Sequence, residues 1–220
     1  MTICMQLYSA RNFPPVETQL AAIEANGFDG VETFGPFHDD PEATRRLLDA
    51  HGLAAKSAHI DLATFETRPE RAIAIARALG AELVVAPYLT PSERPTSRDG
   101  WRDLGARLER VRARIAADGL RFAWHNHDFE FISLPDGSFP IEHLLGDAVS
   151  WEADLAWIAR GGATPCDGWS AIAAAWPPFT SRTSPRRAKR PTRKAGPTSG
   201  RACCRGPISG RARSRRGRRS

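Results

Sequence analysis

Short apolar runs alternate along the first part of the chain with longer stretches whose apolar residues recur at helical spacing. Residues 2–8 read as a buried strand. Val16, Leu20 and Ile23 then repeat every three or four positions up to Gly27, which predicts a helix and its stop. Residues 28–34 form a second strand, and Asp40-Pro41-Glu42 opens a helix that carries Leu47 and Leu48 and closes at Gly52. A third strand over 53–60 precedes a helix over 68–79, with Ile73, Ala76 and Leu79 on one face and Gly80 at its end. A fourth strand covers 82–87. A polar loop over 90–98 leads into a helix with the apolar stripe Leu104, Leu108, Val111 and Ile115, stopped at Gly119. The fifth strand starts at 120 and runs through Trp124-His125-Asn126-His127-Asp128-Phe129-Glu130-Phe131. A turn at 134–137, a short helix over 141–145 and a sixth strand over 149–155 follow.

Strands alternating with helices of this length imply an α/β fold with a parallel sheet. An open doubly wound sheet and a (β/α)8 barrel both satisfy the pattern. The polar residues favour the barrel. Glu32, His59, His125, His127, Glu130 and Asp154 all fall near the C-terminal ends of different strands, where a barrel gathers its chemistry. An open sheet concentrates its site at one switch point, and neither GxGxxG nor a Walker A motif is present.

The charge distribution divides the chain in two. Residues 1–162 hold 16 Lys and Arg against 24 Asp and Glu, a net of −8. Residues 163–220 hold 15 basic residues against the single acid Asp167, a net of +14, together with seven prolines and no usable periodicity. The expected organisation is a partial barrel over 1–162 and a disordered, basic Pro/Arg-rich tail over 163–220. The pI near 9.7 comes from the tail. The acidic body therefore argues against a nucleic-acid partner, except through non-specific contact with the tail. The four cysteines form no CxxC pair, and a reducing, cytoplasmic location is the expectation. No apolar run is long enough to span a membrane, and the N-terminus lacks the features of a signal peptide.

The stretch from His125 to Glu130 packs two imidazoles and two carboxylates into six positions. Such groups ligate divalent metals and move protons near neutral pH. Strand alternation would aim His125 and His127 the same way, and would place Glu152 and Asp154 on one face of strand six. Lys56, inside strand three, must find an acid or a wet strand end, because burying it unpaired is costly. A metal held by imidazole and carboxylate with open positions can polarise a carbonyl and its neighbouring hydroxyl, which eases enediolate formation.

Several stretches in order carry a family resemblance: Gln6-Leu7-Tyr8-Ser9-Ala10-Arg11, Gly27-Phe28-Asp29-Gly30-Val31-Glu32, Ser57-Ala58-His59, His125 to Phe131, and Trp151-Glu152-Ala153-Asp154-Leu155-Ala156-Trp157 with Gly161-Gly162. On these the body resembles the xylose isomerase-like TIM barrels, the sugar phosphate isomerase/epimerase superfamily. The resemblance implies one divalent metal ion (Mn, Mg, Zn or Co) and ligands from strands five to eight. Asp154 matches the strand-six aspartate. His125 falls near the strand-five ligand position, with Glu130 able to serve in its place. His59 matches a histidine that contacts substrate. The expected assignments are His125, Glu130 and Asp154 for metal, His127, Glu130 and Glu152 for catalysis, and Glu32, His59 and Lys56 for substrate binding. The expected activity is metal-dependent isomerisation, epimerisation or dehydration of a sugar or keto-sugar through an enediolate, with a homo-oligomer left open.

Strands seven and eight, which the resemblance places after residue 162, have no counterpart in the tail. With GC-rich codons, a one-base shift over 179–184 can encode His-Val-Lys-Asp-Ile, which resembles the strand-seven motif. The tail is therefore expected to be a frameshifted segment, and the chain a truncated product with reduced activity. Two alternatives are a non-catalytic product and a nucleic-acid binder acting through the tail. A repair endonuclease of the same superfamily would need more His and Glu ligands and a basic groove.

Overall fold

The computed structural model describes residues 2–146, 149–164 and 166. Every described residue belongs to one compact unit, Met1–Phe179. The expectations for the basic tail beyond residue 166 lie outside the described residues.

Six parallel strands run β1 (Cys4–Gln6), β2 (Gly30–Phe34), β3 (Ala54–His59), β4 (Leu83–Ala86), β5 (Arg121–His125) and β6 (Ser150–Glu152). They pair in strictly sequential order. A doubly wound sheet reverses its strand order at the switch point, so this order selects the barrel alternative. The described residues form six consecutive strands of a (β/α)8-type barrel, an incomplete one.

The helices are α1 (Leu7–Ala10), α2 (Val16–Ala25), α3 (Pro41–Ala50), α4 (Leu62–Thr67), α5 (Pro69–Leu79), α6 (Arg98–Ala116), α7 (Pro140–Leu144) and α8 (Leu155–Arg160). Their ends follow local chemistry. Asp40 caps α3 by accepting from Ala43 N–H at 2.8 Å, with Pro41 in the first turn. Ser97 caps α6 by accepting from Gly100 N–H. α5 ends at Gly80, whose φ of +72° suits a residue without a side chain. The stripes read from the sequence are buried: Ile73, Ala76 and Leu79 on α5, and Leu104, Leu108, Val111 and Ile115 on α6. They pack on the outward strand residues Val31, Ala58, Val84, Ala86 and Trp124 in one apolar cluster. Burying each large side chain contributes roughly 1.5–3 kcal/mol before chain entropy is counted. No helix among the described residues is long and apolar enough to cross a membrane.

Three differences from the sequence reading bear on the site. β5 stops at His125; the chain then turns, and 129–131 form a 3-10 turn rather than more strand. β6 stops at Glu152, and Asp154 begins the unexpected helix α8, accepting from Ala156 N–H at 2.9 Å and Trp157 N–H at 3.0 Å. β1 is short because Leu7 and Tyr8 enter α1.

Candidate metal and substrate site

Parallel pairing brings strand ends into register. Phe34 pairs with His59, and His125 pairs with Glu152. The inward side chains of β1, β2, β3, β5 and β6 converge there. Glu152 Oε1 stands 2.9 Å from His59 Nε2 and 2.9 Å from His125 Nδ1. Glu32 Oε1 also lies 2.9 Å from His59 Nε2, so this nitrogen faces two carboxylates. Glu32 is itself fixed: Gln6 Nε2 donates to it at 3.0 Å and Ser57 Oγ at 2.7 Å. The His59 and His125 rings lie 5.0 Å apart.

The electrostatics follow from this packing. Burial alone would depress the His59 pKa, but hydrogen bonds to Glu152 and Glu32 outweigh it and raise the value to about 9. Burial would likewise raise the Glu152 carboxyl, yet its bonds with His125 and His59 hold it well below the usual carboxylate range. An ionised Glu152 only accepts, so the hydrogen shared with His125 sits on Nδ1. The other nitrogen, His125 Nε2, faces Asp154 Oδ2 at 4.0 Å.

His59, His125 and Glu152 each present a ligand atom within 4.8 Å of the others. Two imidazoles and a carboxylate suit a divalent transition metal or zinc. Their nitrogens and oxygens crowd together and face the inside of the sheet, so this donor set fits such an ion. Asp154 stands outside this group, its Oδ2 4.0 Å from His125 Nε2.

The other expected residues fall elsewhere. Glu130 is fully buried, and Trp124 Nε1–H and His127 N–H donate to its two oxygens at 3.0 and 2.9 Å. Trp124 and His125 are successive strand residues and project to opposite faces, so Glu130 sits with Trp124 on the helix side. Burial pushes the Glu130 carboxyl up to about 7 despite these donors. It is therefore not brought to the ligand cluster. Lys56 is exposed and is the unpaired residue of a β-bulge between Val31 and Glu32. It lines neither of the two cavities that border the cluster. His127 does face the same side as His125, although it lies beyond the strand: their rings are 5.1 Å apart. His127 is flanked by Tyr88, Phe129 and Trp157, and burial followed by repulsion from His125 lowers its pKa to about 4.

Four contributors carried no assigned role in the sequence reading. Gln6 and Ser57 hold Glu32. His38, buried and 3.0 Å from Thr33 Oγ1, borders the larger cavity. Asn126 is fully buried: its Oδ1 accepts from Trp151 Nε1–H and Asp154 N–H, both at 2.9 Å, and its Nδ2 donates to Asp154 O at 3.1 Å. Asn126 thereby ties the end of β5 to the turn that carries Asp154. Gly161 closes the other side: a Cβ there would come within 2.7 Å of Asp128 O and of Phe131 Cβ. Only glycine lets α8 pack this tightly on the 128–131 turn.

A cavity of about 830 Å³ opens over the C-terminal ends of the strands. His59, His125 and His127 form its floor with aromatic walls from Tyr8, Tyr88 and Trp157. This volume is ordinary for a small-molecule site.

Solved structures share the fold. A sugar phosphate isomerase/epimerase from Parabacteroides distasonis superposes with a TM-score of 0.66 at 19% identity, covering 79% of this chain and 72% of that one. The probable 3-DHS dehydratase of Bacillus anthracis gives a TM-score of 0.60 at 16% identity, over 80% and 70% of the two chains. A xylose isomerase-like TIM barrel protein from Mycobacterium smegmatis, in complex with magnesium, gives 0.56 at 18% identity, over 79% and 72%. No curated protein sequence matches the chain. The family model that does match spans residues 20–145, more than half of the chain, and is described as the xylose isomerase-like TIM barrel. The chain belongs to the xylose isomerase-like TIM barrel family.

Proposed function

We infer that this chain binds one divalent metal ion through His59, His125 and Glu152, with Asp154 beside them, and acts on a small sugar or keto-sugar as an isomerase, epimerase or dehydratase. The observation that carries the reading is the convergence of those three side chains within 4.8 Å of one another, with His59 and His125 on the floor of an 830 Å³ cavity and Glu152 in the smaller cavity beside it. The relatives in the family support the substrate class, and the magnesium complex of the Mycobacterium smegmatis protein supports the metal class.

When bound, the ion supplies Lewis acidity to a carbonyl and its neighbouring hydroxyl. The chain's own residues do the remainder. Glu32, held by Gln6 and Ser57, keeps the His59 ring in place. His127 enters the cavity as a neutral imidazole and exchanges a proton with the substrate carbon or oxygen. Glu130 acts at one remove, fixing the His127 backbone through its N–H. Tyr88 and Trp157 offer flat apolar faces for a sugar ring or chain and keep water from the floor.

The test is exchange of substrate hydrogen. The purified full chain, with Mn added, is incubated in D2O with a ketose panel beginning with D-fructose. Incorporation of deuterium next to the carbonyl, abolished by a chelator and by His127→Ala, is the expected result. Absence of exchange across the panel, in protein that binds Mn, would count against enediolate chemistry.

A further inference from the structure

The wall of the large cavity nearest β2 holds one imidazole that the chemistry above leaves unused. His38 ends the 3-10 turn Gly35–His38, which follows β2 directly. That turn is pinned to α3, whose Thr44 Oγ1–H donates to Phe37 O at 2.8 Å. His38 is only 7% exposed, and it lines the cavity. One of its nitrogens is held: Nε2 stands 3.0 Å from Thr33 Oγ1. Thr33 Oγ1–H also donates, at 3.5 Å, to the Ser57 carbonyl. A hydroxyl has a single hydrogen to give, so both bonds hold only when Nε2 carries its own hydrogen and donates it to Thr33. Nδ1 is then the lone-pair nitrogen.

Among the described residues His38 Nδ1 has no hydrogen-bond partner, and it is not sealed off either. The buried side-chain nitrogens left without a partner are Trp101 Nε1, Arg112 Nε and His127 Nδ1. His38 Nδ1 therefore keeps contact with open space, and the open space that His38 borders is the cavity. Burying an imidazole costs more than burying the ring of Phe34 on the same wall, and only a hydrogen-bond partner offsets that cost. Burial and repulsion from His59, with a smaller push from Arg71, outweigh the pull of Asp39 and Asp61 and lower the His38 pKa to about 4. The ring is neutral near pH 7, and Nδ1 is free to accept.

We propose that His38 is a specificity-determining residue whose Nδ1 accepts a hydrogen bond from a hydroxyl of the bound sugar on the β2 side of the cavity. His127 works at the carbonyl end, on the β5 side, and His38 reads a hydroxyl at the other. A buried acceptor of this kind discriminates against isomers that leave it unpaired. The assignment rests on the reading that the cavity takes a sugar, but the contact itself needs neither metal nor turnover.

Two substitutions separate the two nitrogens. In His38→Gln the amide falls near the place of Nε2 and can keep the Thr33 contact. In His38→Asn it falls near the place of Nδ1 and can keep the acceptor. The full chain, labelled with nitrogen-15 and free of metal, is titrated with D-fructose, D-psicose, D-sorbose and D-tagatose, and dissociation constants are read from the backbone amide signals. At least one ketose is expected to bind and to move the His38 Nδ1 signal upfield. Its affinity should fall at least about tenfold in His38→Gln and stay within about threefold in His38→Asn, with folding of both checked by circular dichroism. Four ketoses that leave the Nδ1 signal unmoved, bound or not, overturn the assignment, as does an unchanged affinity in His38→Gln. A larger loss in His38→Asn than in His38→Gln also overturns it, since His38 would then serve only to hold Thr33. Deuterium exchange with an affinity indifferent to His38→Gln would leave the proposed function without this contact. A His38-dependent affinity in a chain that binds no Mn and exchanges no deuterium would defeat that function and leave the contact standing.

Discussion

His125 and Glu152 are register partners on adjacent parallel strands, and Glu152 Oε1 stands 2.9 Å from His125 Nδ1. Because Glu152 stays ionised, it can only accept, and this fixes the imidazole with its hydrogen on Nδ1. The other ring nitrogen, Nε2, faces Asp154 Oδ2 at 4.0 Å. In nitrogen-15 NMR of the metal-free chain at neutral pH, His125 is expected to show a protonated Nδ1 engaged in a strong hydrogen bond. That signature should vanish in Glu152→Ala. A His125 protonated only on Nε2 would break the assignment.

Asn126 sets where Glu152 and Asp154 stand relative to that imidazole. Its amide accepts from Trp151 and Asp154 and donates back to the Asp154 carbonyl. Asn126→Ala leaves the Trp151 indole and the Asp154 backbone N–H without their acceptor, at about 1–3 kcal/mol for each buried group. Asn126→Asp keeps the two acceptor contacts but turns the donor into an oxygen facing the Asp154 carbonyl. Chemical denaturation should show a large loss for the alanine variant. For the aspartate variant, metal affinity should fall more than stability does. Wild-type metal affinity in Asn126→Asp would remove Asn126 from the site's support.

Much of the architecture was legible in the chain. The stripes on α5 and α6 and the glycine stops at Gly80 and Gly119 mark the βα repeat, and the placement of acids and histidines at strand ends points to a barrel. The ligand grouping was less legible, for physical reasons. His59 and Glu152 are 93 positions apart, and only closing of the sheet brings them to 2.9 Å. Residues 128–131 alternate polar and apolar like a strand, yet the chain turns after His125, where the Asn126 amide bonds to the next strand's turn. That turn carries Glu130 to the helix side, where Trp124 and the His127 backbone claim both its oxygens. Gln6 and Ser57 have ordinary side chains, and nothing local marks them as supports for Glu32.

Glu130 also predicts a pH dependence of stability. Its folded pKa of about 7 exceeds the ordinary 4.5, so the folded state holds the proton more tightly than the unfolded chain. The stability linked to this group is complete below about pH 4.5 and lost as the pH rises through about 7, roughly 3 kcal/mol in all. Glu130→Gln cannot ionise, so its stability should lack this dependence and the decline between pH 5 and 8 should flatten. Denaturation curves for the two proteins at a series of pH values check this. Parallel pH profiles would show that Glu130 ionises freely.

Gly161 tests the packing of α8. Gly161→Ala places a methyl within 2.7 Å of the Asp128 carbonyl and the Phe131 side chain. Either α8 or the 128–131 turn must shift, and overpacking of this kind costs about 1–3 kcal/mol. The shift would carry Trp157 away from His127, whose rings are now 4.8 Å apart. A lowered melting temperature with altered Trp157 fluorescence is expected. An unchanged protein would mean that the approach is looser than described.

The ligand set itself is tested most directly by calorimetric titration of Mn into the metal-stripped chain and its variants, each checked for folding by circular dichroism. One site is expected, weakened about tenfold or more by His59→Ala, by His125→Ala and by Glu152→Ala, and changed by less than about threefold in Glu130→Gln. A wild-type chain that binds no metal, or a site destroyed by Glu130→Gln and untouched by Glu152→Ala, would contradict it.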